Sequence, residues 1–217
     1  MTDLYDSIRS NRFDLTMDTE IWACHTTRPG GYTHHLVFLI RYEGLLIPIS
    51  QVQQALVQTG GFVAFESTYF HITLKGGELY NTQEDLLQDA YTYRDKLDNL
   101  RDKFTPFQID FRWVNFFGNV IFIQCFDGGM LKELHQYIIS CLQLPVRVQR
   151  DMGNYLPHMA IWTYRDTSHT KGLFEMGEKY RQQEFWTCTI QQIELCDVVR
   201  SPAMKFPQIE TIHVFHL

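Results

Sequence analysis

His71 and Thr73 stand two positions apart in FHITL, residues 70–74, and His158 opens a second apolar run in PHMAI, residues 157–161. Residues two apart on a strand face the same side. Tyr69, His71, Thr73 and Lys75 therefore form one polar face, and Phe70, Ile72 and Leu74 the apolar one. In the second run His158, Ala160, Trp162 and Tyr164 share a face, with Met159, Ile161 and Thr163 opposite. Imidazole titrates near ~6.5, so two of them across a groove can act as general base and general acid. One takes a proton from a nucleophile while the other supplies one to a leaving oxygen. A threonine hydroxyl beside such a histidine can donate to a nonbridging phosphoryl oxygen, where transition-state charge accumulates. One His-x-Thr strand alone is more often structural than catalytic. Its recurrence at a matching place in the chain shifts the weight toward chemistry.

The elements that must position these residues follow from periodicity. HHLVFLIRY (34–42) reads as a buried strand, and IPISQVQQALVQTGG as a helix carrying Ile49, Val52, Ala55 and Leu56 on one face, stopped at Gly60-Gly61. STYFHITLKGG reads as the first motif strand, ended by Gly76-Gly77. Thr82 is a helix N-cap followed by Leu86, Ala90, Tyr93, Leu97, Leu100 and Phe104 at helical spacing. PFQIDFRWVNFF and NVIFIQCF form a hairpin at Gly118-Asn119. MLKELHQYIISCLQL is amphipathic, with Leu131, Leu134, Ile138, Cys141 and Leu142 inward and His135 on the surface. NYLPHMAIWTY is the second motif strand, entered through Pro157, which biases Leu156 toward extended geometry. A helical KGLFEMGEKYRQQ and two strands, WTCTIQQIELCDV and TIHVFHL, close the chain. Each histidine-bearing strand is followed by a helical segment, a hint of duplicated architecture.

Composition narrows the function classes. The 217 residues are 45% hydrophobic, enough for a substantial core. No stretch approaches the roughly 18 apolar residues that span a bilayer, and MTDLYDSIRSNRFD lacks the pattern of a signal peptide. A cytoplasmic protein with no membrane partner is expected. Five scattered cysteines without a CxxC pair argue against a disulfide framework and a cysteine zinc site. A formal net charge of −6 disfavours long nucleic acid and leaves a short anionic ligand open. Tyr155, Trp162 and Tyr164 are candidates to stack a base. Cys24-His25 and His34-His35 lack partners at ligand spacing, and no metal is expected.

The pair His71-Ile72-Thr73-Leu74 and His158-Met159-Ala160-Ile161 resembles the two His-Φ-Ser/Thr-Φ motifs of the two-histidine (2H) phosphoesterases, which include the LigT-like 2'-5' RNA ligases and cyclic phosphodiesterases. The resemblance covers residues 33–217, leaving 1–32 as an N-terminal extension. It implies an α+β, bilobal fold of pseudo-twofold symmetry, with mostly antiparallel sheets lining a central groove and helices outside. It also implies His71 and His158 as acid and base, Thr73 on the phosphate, no cofactor, and a nucleotide or RNA-end substrate such as a 2',3'-cyclic phosphate or 2'-5' linkage. Ala160 departs from the motif by removing one hydroxyl donor, which Lys75, Tyr69 or Tyr164 would have to replace at the phosphate. Two expectations follow: a metal-independent phosphodiesterase, or an attenuated 2H domain that binds nucleotide or RNA ends without turnover.

Overall fold

The computed structural model describes residues 33–41, 47–57, 62–117, 120–144, 155–164, 179–200 and 206–217. The expectations for residues 1–32, Gly60-Gly61, the Gly118-Asn119 turn and most of the helix over 171–183 lie outside the described residues.

Among the described residues there are nine strands: β1 (Thr33–Arg41), β2 (Phe62–Ala64), β3 (His71–Tyr80), β4 (Phe107–Phe117), β5 (Val120–Phe126), β6 (His158–Tyr164), β7 (Glu184–Ile190), β8 (Gln192–Arg200) and β9 (Gln208–His216). Three α-helices are described: α1 (Ile47–Val57), α2 (Gln83–Lys96) and α3 (Met130–Leu142). The strands lie in the order β7-β4-β5-β6-β3-β1-β8-β9, with β2 added on β6. Every pairing is antiparallel. The order reads alike from both ends. The motif strands β6 and β3 are central, β5 and β1 flank them, then β4 and β8, then β7 and β9. This is a bilobal α+β fold of pseudo-twofold symmetry. Among the described residues the motif strands β3 and β6 meet at one registered pair, Ile72 opposite Met159, each 1% exposed.

Sequence explains the helical layer. Thr82 is extended, and its hydroxyl accepts from the Asp85 amide at 3.2 Å, satisfying a free N–H of the first turn of α2. Leu86, Ala90, Tyr93, Leu97, Leu100 and Phe104 are all buried, although α2 ends at Lys96 and Leu100–Asp102 is a separate 3-10 turn. In α3, Leu131, Leu134, Ile138 and Leu142 are buried as their spacing requires. These helices and the Leu36, Phe38 and Ile40 face of β1 share one hydrophobic cluster with Ile72, Ile121, Ile123 and Met159.

Three expectations are corrected. Ser67–Tyr69 is a 3-10 turn, and β3 begins at His71. Gly76-Gly77 does not end the strand, which continues through irregular pairing with β1 to Tyr80. His135 is not on the surface: it is buried one helical turn after Leu131, with Nδ1 2.6 Å from the Leu74 carbonyl. No helix among the described residues is long and apolar enough to cross a membrane.

Because Ile72 sits at the registered pair that joins the lobes, Ile72→Ala is expected to cost about 2–5 kcal/mol. A urea midpoint matching the parent's would show that the lobes do not depend on this contact.

Candidate active site

The Ile72–Met159 pair directs two side chains into the core and so turns their strand neighbours the other way. Antiparallel register then places His71 beside Ala160 and Thr73 beside His158, all on the face away from the helices. The two motifs, far apart in sequence, become one constellation of two histidines and one hydroxyl.

Each histidine is the first residue of its strand and is held by the same device. His71 Nδ1 lies 2.7 Å from the Tyr69 carbonyl, and His158 Nδ1 lies 2.7 Å from the Leu156 carbonyl. A carbonyl only accepts, so each Nδ1 carries the proton. That leaves Nε2 of the neutral ring as the site that takes up a proton, or gives one up after charging. An aromatic ring meets each imidazole edge-on at 5.1 Å, Tyr69 at His71 and Phe122 at His158. Tyr155 crosses between the motifs: its hydroxyl donates to the Thr73 carbonyl at 3.1 Å.

Electrostatics favour a neutral His71. Burial lowers the His71 pKa to about 4; its hydrogen bond to the Tyr69 carbonyl opposes this, and His158, Arg200 and Arg41 add to it. Tyr69 is raised by burial against the opposing field of Arg200, so it stays a protonated donor. Arg41 stands opposite His71 on β1. Its guanidinium donates to Glu194 Oε2 from Nε at 2.9 Å and from Nη2 at 2.6 Å, and also to Thr211. Thr211 donates to the same carboxylate oxygen at 2.6 Å. Burial would raise the Glu194 carboxyl, but these hydrogen bonds outweigh it and hold the pKa low. At the twofold-related place opposite His158 stands Gln124, 1% exposed, its Oε1 unpartnered among the described residues.

Two expected site residues are redirected by bulges. Pairing between β1 and β3 passes from Leu39–Thr73 to Phe38–Lys75, which leaves Leu74 as an extra residue. The strand changes face there. Lys75 lies on the side of core residue Phe38, 5% exposed, and does not share a face with His71 and Thr73. Pairing between β5 and β6 likewise passes from Phe122–Ala160 to Ile121–Trp162, with Ile161 extra. Trp162 is thereby turned into the core at 0% exposure, where it cannot stack a base. The Ile161 carbonyl at this bulge accepts from the Phe65 amide at 3.1 Å and from Gln53 Nε2 of α1 at 3.1 Å.

Tyr155 is half-buried, stacked on His135 at 4.2 Å, and braces Thr73 from behind. Tyr164 pairs with Phe62 at the end of β6, and its side chain lies outside the described residues. Sequence reading missed Arg41, Glu194, Thr211, Arg200, Gln124 and Phe122. Arg41 and Glu194 are 153 positions apart, so no local spacing could signal them.

Comparisons with known proteins bear on the family and the fold. Residues 48–201 match the family model described as the 2'-5' RNA ligase superfamily. Among solved structures, TT0787 of Thermus thermophilus is similar with a TM-score of 0.59 at 15% identity, covering 84% of this chain and 97% of that one. E. coli LigT complexed with 3'-AMP gives a TM-score of 0.56 at 12% identity, covering 85% and 98%. A structure described as a phosphoesterase gives 0.55 at 13% identity, with coverage of 85% and 98%. No curated protein matches the chain by sequence. The fold is thus shared across low identity, and the family match spans both motif strands: the chain belongs to the 2'-5' RNA ligase superfamily.

Proposed function

We propose that the chain is a cytoplasmic phosphodiesterase acting on a nucleotide or RNA-end substrate, a 2',3'-cyclic phosphate or a 2'-5' linkage. The observation that carries this reading is the matched pair of imidazoles, each with Nδ1 committed to a carbonyl two residues back and Nε2 left for proton transfer. Family membership and the likeness to a LigT that holds 3'-AMP support it.

For a cyclic phosphate the chemistry balances as follows. His71, neutral at pH 7, takes a proton from water through Nε2 as the water oxygen bonds to phosphorus. The bond from phosphorus to one ribose oxygen breaks, and His158 supplies that oxygen with a proton from Nε2. The product is a phosphomonoester, and the two histidines exchange their proton balance with solvent. Thr73 donates to a nonbridging oxygen, and Tyr69 supports His71 through its carbonyl and ring. Lys75 is left out of this assignment because it lies on the core face.

Ala160 favours a second reading, a domain that binds nucleotide ends without turnover. At the position related to Thr73 it offers no donor.

Assay of the purified chain with 2',3'-cyclic nucleotides and 2'-5' linked oligonucleotides in EDTA decides between them. Hydrolysis is expected, with losses of about 10²–10⁴ in His71→Ala and His158→Ala and about 10²–10³ in Thr73→Ala. Full activity in either histidine variant would remove the acid/base assignment, while tight calorimetric binding without product would establish the second reading. Ala160→Thr is expected to raise kcat; no gain would mean that the site does not need a second hydroxyl.

Histidine NMR should place the His71 midpoint at about 4 and move it upward in His158→Ala. The folded pKa lies below the unfolded value of about 6.5. The unfolded chain therefore binds the extra proton between those values, and stability contributed by neutral His71 is complete above about 6.5 and lost as pH falls toward 4. A midpoint at the free-histidine value would contradict this.

A further inference from the structure

Beside His71, Arg41, Glu66, Tyr69 and Phe206 line a pocket of about 400 Å³. That volume suits a small ligand moiety. Its Tyr69 wall has its ring centroid 5.1 Å from that of His71, and Arg41 is the cross-strand partner of His71. A group attached to a phosphate held at His71 can therefore reach it. The Tyr69 and Phe206 rings lie 6.0 Å apart and inclined by 31°, with Phe65 behind them at 4.7 and 5.5 Å. This gives the pocket a broad aromatic wall.

Charge decides what kind of group fits. The Arg41 guanidinium is already bonded twice to Glu194, and Glu66 adds a carboxylate to the lining. Those three groups together carry one net negative charge, which the nearby field of Arg200 balances. Such a pocket does not suit a second phosphate. It suits an uncharged flat ring that lies on the aromatic wall and presents hydrogen-bond donors to the Glu66 carboxylate. Among the four RNA bases, guanine alone offers a carboxylate two adjacent donors, N1–H and N2–H.

We propose that this pocket is a guanine-reading subsite, with Glu66 as its specificity-determining residue and a guanosine phosphodiester as the preferred substrate. The proposal rests on the phosphodiesterase reading above.

The test compares the 2',3'-cyclic phosphates of guanosine, adenosine, cytidine and uridine on the full chain. The expected kcat/KM for guanosine is about tenfold above the others, and Glu66→Gln, which removes the charge from an exposed side chain, brings the ratio close to one. Equal cleavage of all four, or a preference unchanged in Glu66→Gln, overturns the guanine subsite while leaving the phosphodiesterase intact. If none is cleaved, calorimetry with the same four compounds decides. Guanosine-selective binding upholds the subsite in a domain without turnover, and binding of none overturns the subsite together with the function it rests on.

Discussion

Everything at the site depends on one contact, the side-by-side burial of Ile72 and Met159 where the two lobes join. Strand alternation does the rest. Once these two apolar side chains point into the core, the residues before and after them must point out. The antiparallel register then sets one lobe's histidine against the other lobe's hydroxyl position. The alignment of the two motifs is thus a by-product of hydrophobic burial, and the motif residues need no direct contact with each other to be aligned.

The bulges limit how far that alternation extends. In β3 it holds from His71 to Thr73 and fails at Leu74; in β6 it holds from His158 to Ala160 and fails at Ile161. Both interruptions fall three residues after the histidine, so they obey the same pseudo-twofold as the strands themselves. Their effect is to confine each outward face to a short polar segment. Lys75 and Trp162 are then returned to the core instead of lengthening the groove face. The extra residue has a backbone group that needs a partner, and at Ile161 the Phe65 amide and the Gln53 side chain supply it.

This explains which parts of the molecule were legible in the sequence. Helix α2 was readable because its cap and core stripe are local, and His71, Thr73 and His158 because alternation is correct for two steps. Lys75 and Trp162 were misplaced because a bulge leaves no mark in a pattern of apolar residues. His135 was misplaced because β3, which is distant in sequence, covers that side of α3 and supplies the Leu74 carbonyl. The Arg41–Glu194–Thr211 group joins three strands that pair only in the finished sheet, and nothing near any one of them announces the other two.

The pseudo-twofold is most informative where its chemistry is broken. Thr73 is matched by Ala160, Arg41 by Gln124, and Tyr69, two residues before His71, by Leu156, two before His158. Each exchange places the charged or hydroxyl-bearing partner in the same lobe. Cations near His71 oppose its protonation, whereas the residue opposite His158 is a neutral amide whose buried acceptor is unpartnered among the described residues. A duplicated scaffold with identical surroundings would give two histidines of equal basicity, each equally ready to gain or to lose a proton. Acid and base catalysis needs one of the two neutral and the other protonated, and at His71 burial and the nearby cations favour the neutral form. The loss of the second hydroxyl therefore need not be read in isolation, because it belongs to a wider division in which one lobe carries a hydroxyl or a charge at positions where the other carries alanine, glutamine and leucine.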